Sequence, residues 1–145
     1  MRVNTQFPMA VHILAVIAFY ERVNPTSEII AKSVGTNPVV VRRIVTQLKK
    51  AGLVNAQAGV KGISLCRKPR DITLRDIYNA VRTPEEMLFD IHPNPNPACD
   101  VGLYIKEAIS KPLSDAQLAL ENSLDNCTLL DVLKPISEQN GLPVG

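Results

Sequence analysis

Asn37-Pro38-Val39-Val40-Val41-Arg42-Arg43-Ile44-Val45-Thr46-Gln47-Leu48-Lys49-Lys50-Ala51-Gly52 is the stretch on which the fold turns. An asparagine side chain accepts from the free amides of a helix's first turn, and proline, lacking an amide, is tolerated at the first helical position. Asn37-Pro38 therefore predicts a helix start and Ala51-Gly52 its end. At about 100° per residue, Val41, Ile44, Val45 and Leu48 fall on one side. Val39, Arg42, Arg43, Thr46, Lys49 and Lys50 cover the other. The helix is amphipathic and its wet face is basic.

Upstream, Phe7 to Val23 is apolar on enough sides for a largely buried first helix, beginning near Pro8 and stopping before Asn24-Pro25. His12 within it is expected in the core or an interface. Thr26 or Ser27 caps a short second helix through Ile29, Ile30 and Ala31, with Glu28 near its positive end. Downstream, 53–57 and 62–66 read as two short strands around a tip at Ala58-Gly59-Val60-Lys61. Thr73 then caps a helix carrying Leu74, Ile77, Tyr78 and Val81. The proline-rich segment that ends in His92-Pro93-Asn94-Pro95-Asn96-Pro97 cannot form regular structure. Asp100 to about Leu124 gives a longer helical pattern, which Pro112 is expected to kink or interrupt. Thr128 caps a last helix. The expected organisation is a helix-and-hairpin domain over 1–82, a Pro/Asn-rich loop over 83–99 and a helical region over 100–145.

A chain of 145 residues makes one domain, or a small domain with an appendage. With 46% hydrophobic residues, 4% aromatics and no tryptophan, its core must be aliphatic, which favours packed helices over a sandwich or barrel. The net charge of +2 conceals a division. From Ile29 to Arg70 stand nine cations and no acid, while the other residues hold seven cations against fourteen acids. That asymmetry points to a polyanionic partner. Phe7 to Tyr20 resembles a signal-peptide core, yet it runs into Glu21-Arg22 without a cleavage pattern and is too short to span a bilayer. Cysteines at 66, 99 and 127, widely spaced and without a CxxC pair, suit a reducing cytoplasm.

Three helices followed by a hairpin, with a turn between the second and a basic third, is the order of a winged helix-turn-helix. The expected fold class is mainly α with a small β-hairpin, a winged helix-turn-helix domain plus a long C-terminal helix. In such a domain the third helix enters the major groove. Val39, Arg42, Arg43 and Thr46 are the candidates to meet bases, and Thr26, Ser27, Lys50 and Lys61 to hold phosphates. The alternative is a winged helix used for protein contacts. Enzyme motifs are missing: there is no glycine-rich phosphate loop, HExxH or GxSxG, so no enzyme is expected.

Several segments also resemble a family. Met1-Arg2-Val3-Asn4-Thr5-Gln6-Phe7-Pro8-Met9-Ala10, Lys49-Lys50-Ala51-Gly52-Leu53-Val54, Asp71-Ile72-Thr73-Leu74-Arg75-Asp76-Ile77 and Thr128-Leu129-Leu130-Asp131-Val132-Leu133 look like the Rrf-type (BadM-like) winged-helix transcriptional regulators, which include IscR, NsrR and CymR. Within that family the chain looks most like the small YwnA-like members. The resemblance implies a homodimer joined mainly through the long helix after the loop and binding an operator with two-fold symmetry, and the expected regulator is a repressor.

Two departures from the pattern matter. The family's hairpin arginine is missing from Ala58-Gly59-Val60-Lys61-Gly62-Ile63-Ser64, where Lys61 stands in as a phosphate contact. Cluster-binding members carry three loop cysteines before the long helix, and here Cys99 alone holds such a place, so neither an iron–sulfur cluster nor another metal or cofactor is expected. Cys99, at a helix start where the dipole lowers a thiol pKa, is the candidate sensor of oxidants or electrophiles. Cys66 and Cys127 are expected to be packed small residues.

Overall fold

A computed structural model describes residues 5–56, 62–83, 87–141 and 143. Helix α1 (Gln6–Phe19) runs into a 3-10 turn at Glu21–Val23, followed by α2 (Ser27–Val34) and α3 (Pro38–Lys50). Strands β1 (Val54–Asn55) and β2 (Ser64–Leu65) form an antiparallel ladder pairing Val54 with Leu65 and Asn55 with Ser64. A 3-10 turn at Pro69–Asp71 leads to α4 (Leu74–Val81), then come α5 (Asp100–Asp125) and α6 (Leu129–Asn140). The fold is mainly helical with one small hairpin, as expected, though each strand is shorter than its sequence pattern. The hairpin tip, including Lys61, lies outside the described residues.

The capping chemistry sets the helix starts. Thr26 Oγ1 accepts from Ile29 N at 3.3 Å and Asn37 Oδ1 from Val40 N at 3.0 Å. Thr73 with Asp76, and Thr128 with Asp131, form capping boxes in which side chain and backbone satisfy each other reciprocally. The Thr128 amide and hydroxyl hold the Asp131 carboxyl below the usual carboxylate range.

One aliphatic core joins Ile13, Leu14 and Ile17 of α1, Ile30 of α2, Val41, Ile44 and Leu48 of α3, and Ile77 of α4. His12 is exposed and not in the core, with Nε2 3.0 Å from Ser33 Oγ, because it lies off the side of α1 that buries Ala10, Ile13, Leu14 and Ile17. The hairpin is locked to the start of α2 by Ile63 N donating to the Pro25 carbonyl at 3.1 Å. Gly62, at φ +92°, passes so close to Asn24 that a Cβ would collide with the Asn24 backbone.

Two features concern the C-terminal half. Helix α5 continues through Pro112 without a break, since the Ala108 carbonyl that loses its partner there sits on an exposed turn open to water. The last helix folds back onto the first domain: Leu129 and Leu133 are buried in the same core, and Leu129 N donates to the Ile72 carbonyl at 2.8 Å. Thr73 and Thr128 meet across an isolated antiparallel bridge, so the starts of α4 and α6 are stitched side by side. Residues 129–140 thus serve the core built by 5–81.

Helix α5 meets α4 through polar groups. Its two buried residues are Gln117 and Glu121. Gln117 Nε2 donates to Tyr78 Oη at 2.8 Å, and its Oε1 accepts from Leu88 N at 2.7 Å. Glu121 Oε1 lies 3.4 Å from Arg82, whose guanidinium sits 5.2 Å from the Tyr78 ring centroid. No helix among the described residues is long and apolar enough to cross a membrane.

Candidate nucleic-acid interface

Helix α3 has the two faces its sequence predicts. Val41, Ile44, Val45 and Leu48 are buried, while Val39, Arg42, Arg43, Thr46, Lys49 and Lys50 are exposed. The reason is geometric: burying one stripe of an amphipathic helix leaves the other stripe in water. Asn37 occupies its cap, so the amino end of α3 is well defined and projects next to the α2–α3 turn. Val39, at 67% exposure, presents a methyl surface of the kind that meets a thymine methyl.

The individual side chains differ. Arg42 Nη1 donates to Glu28 Oε1 on α2 at 3.4 Å. The other exposed cations of α3, Arg43, Lys49 and Lys50, form no ion pair within 4.0 Å among the described residues. Thr46 Oγ1 donates to the Arg42 carbonyl at 2.8 Å, which leaves its oxygen able to accept from a partner. Thr26 and Ser27 stand half-buried at the α2 start, where free amides and the helix dipole favour an anion. Arg42, Arg43, Thr46 and Val39 therefore share one helix face, and Thr26 and Ser27 stand at the entry to the preceding helix.

Sequence reasoning missed Glu28. It reads along the chain as an acid placed for the helix dipole, and its contact with Arg42 crosses fourteen residues. The crossing of α2 over α3 in a helix-turn-helix is the signal that could have found it. Ile29, on the same helix as Glu28, is half exposed, while its neighbours Ile30 and Ala31 are buried.

Cys99 is the N-cap residue of α5 and is exposed. The amides of Gly102 and Val101 hold its thiol below the ordinary thiol range. Gly102 lets the Asn96 backbone pass close to this first turn, since a Cβ there would collide with the Asn96 carbonyl. Cys66 and Cys127 are exposed as well, correcting the expectation that they pack: Cys66 stands just past the end of β2, and Cys127 lies between the end of α5 and the Thr128 cap of α6. His92 is exposed in the loop.

A model of the Rrf2 family, described as an iron-dependent transcriptional regulator, matches residues 3–135. The donor set of this chain does not fit an iron centre. Cys99 is the single thiol near the loop, and among the described residues no three metal-ligating side chains come together. The chain is 47% identical over 131 residues to YwnA of Bacillus subtilis, a protein named as an HTH-type transcriptional regulator, covering 90% of this chain and 96% of that one. It shares 40% identity and a TM-score of 0.74 with a crystal structure described as a DNA-binding protein, over 89% of this chain and 99% of the other. IscR of T. potens shares the fold, with a TM-score of 0.66 at 24% identity over 97% of this chain and 91% of that one. With its basic α3 face and its hairpin, the chain belongs to the Rrf2 family and is a helix-turn-helix DNA-binding transcriptional regulator, not an enzyme.

Proposed function

We propose that the protein acts in the cytoplasm as a homodimeric repressor that lays α3 of each subunit into successive major grooves of a two-fold operator. The observation that carries this reading is the exposed face of α3, which presents Val39, Arg42, Arg43, Thr46, Lys49 and Lys50 and no acid. Arg42 and Arg43 read guanine edges, Val39 and Thr46 supply contacts beside them, and Thr26, Ser27 and Lys50 hold phosphates. Lys61, expected from the sequence to do the same at the hairpin tip, keeps that role as part of the proposal. A salt titration tests it. Binding to operator should weaken steeply with salt as counterions are released, whereas a winged helix that docks on a protein gives a shallow slope and no operator preference.

The dimer reading rests on α5. Its aliphatic residues Ile105, Ile109, Leu113, Leu120 and Leu124 are only half-buried, and Val101, Tyr104 and Leu118 are exposed. That much uncovered apolar surface on one helix suits a second copy of it. Sedimentation of the wild type should give a dimer, and a Tyr104→Glu, Leu118→Glu variant a folded monomer. A folded variant that still dimerises places the interface elsewhere.

Cys99 is proposed as the thiol through which oxidants or electrophiles relieve repression, because it is exposed and its pKa is drawn down at a helix start. Equal loss of operator binding on oxidation in wild type and Cys99→Ser would remove it from the mechanism.

A further inference from the structure

Between the carboxyl end of α1, the end of β2, the Pro69–Asp71 turn and α6 lies a cleft of about 620 Å³, within the size range of small-molecule sites. No residue of α3 lines it. Part of its wall is apolar, with Phe19, Leu65 and Leu130 half-buried there. Around that wall stand Arg67, Lys68, Arg70 and Lys134 against one carboxylate, Glu21.

The cations are unequally committed. Arg67 pairs with Asp76 at 3.6 Å. Lys68, Arg70 and Lys134 form no ion pair within 4.0 Å among the described residues. The carboxylate nearest Lys134 along α6, Asp131, is held by Thr128 in its capping box and feels Lys134 only as a charge beyond ion-pair distance. Three like charges lining one cleft repel each other and gain from a shared counter-ion. The neighbouring apolar wall gains from being covered. We propose that this cleft binds a small organic anion, a carboxylate on an apolar body, with its head among Lys68, Arg70 and Lys134 and its body against Phe19, Leu65 and Leu130.

Each methylene that such a ligand takes out of water raises affinity about fourfold, so affinity climbs with chain length until the wall is covered. Inorganic phosphate has no such gain. Cys66 lines the same cleft with an exposed thiol and reports occupancy directly. This readout involves no DNA, so its result stands apart from the reading of α3.

The experiment uses the full chain carrying Cys99→Ser and Cys127→Ser. The rate of Cys66 alkylation is followed by mass spectrometry with acetate, butyrate, hexanoate, octanoate (below micellar concentrations) or inorganic phosphate. Protection should saturate, with the half-effect concentration falling about fourfold per methylene from butyrate to octanoate. Adding Arg70→Gln and Lys134→Gln, both at exposed positions, should weaken octanoate by about tenfold or more without changing the thermal melt. Absence of saturable protection at every chain length overturns the proposal. So does protection that phosphate matches, or that survives the double substitution. If the double variant instead lowers the salt slope of DNA binding while octanoate never protects Cys66, these cations serve DNA phosphates and the proposal is likewise overturned.

Discussion

Arg42 of α3 is tied to Glu28 of α2 by a 3.4 Å charge-assisted hydrogen bond that crosses the helix-turn-helix on its exposed side. To reach a base, Arg42 must give up this partner or swing past it. Glu28 also sets one negative charge beside the surface proposed to hold phosphates. Glu28→Gln should therefore strengthen binding to operator and random duplex alike, measured by fluorescence anisotropy. Because exposed ion pairs contribute at most about 1 kcal/mol, its stability should barely change. Weaker operator binding in Glu28→Gln would show that the acid positions Arg42 for recognition.

Reading and holding should separate along α3. Arg43, free of any ion pair among the described residues, should cost about 1 to 3 kcal/mol of operator affinity on replacement by alanine and should blur sequence preference. Lys50→Ala should weaken specific and random DNA equally and lower the salt slope by about one unit. Paired salt titrations on both duplexes distinguish the two outcomes, and the reverse pattern would exchange the roles.

The last helix should matter for folding. Leu133 is 2% exposed in the shared core, so Leu133→Ala should destabilise the protein by about 2 to 5 kcal/mol in denaturant melts. Truncation after Arg82 removes Leu129 and Leu133 together and should yield an unfolded or aggregated product. A stable truncated domain with a cooperative melt would contradict this.

Tyr78→Phe keeps the ring that stacks edge-on against Phe7 at 5.6 Å but deletes the hydroxyl that accepts from buried Gln117. The amide then keeps only its long 3.5 Å bond to Glu121 Oε2, and the lost hydrogen bond should cost about 0.5 to 1.5 kcal/mol. If the melt is unchanged, water has replaced the hydroxyl.

For Cys99, the depressed pKa has a kinetic sign. The thiolate is the nucleophile, so its fraction is lost as pH falls through the lowered pKa and retained above it. The alkylation rate of Cys99 should therefore reach half-maximum at a lower pH than that of free cysteine, read peptide by peptide in a pH series. A midpoint at or above free cysteine's would show that the Val101 and Gly102 amides do not act on the sulfur in solution.

Local rules made much of this protein legible along the chain. Asn37-Pro38, Thr26, Thr73 and Thr128 announce helix starts because a cap is satisfied within its own first turn. The two faces of α3 follow from residue spacing alone, and with them the candidates Val39, Arg42, Arg43 and Thr46. Other features wait on contacts between distant segments. Glu28 and Arg42 meet because α2 crosses α3, and Gln117 reaches Tyr78 because α5 lies on α4. The Pro-rich connection gives no hint that α6 returns to fill the core. Leu129 and Leu133 have the same apolar pattern that an outward-facing association helix would show. The cleft between α1, β2 and α6 likewise exists only once that helix has docked. Periodicity marks which side of a helix is apolar, and only the packed chain selects what covers it.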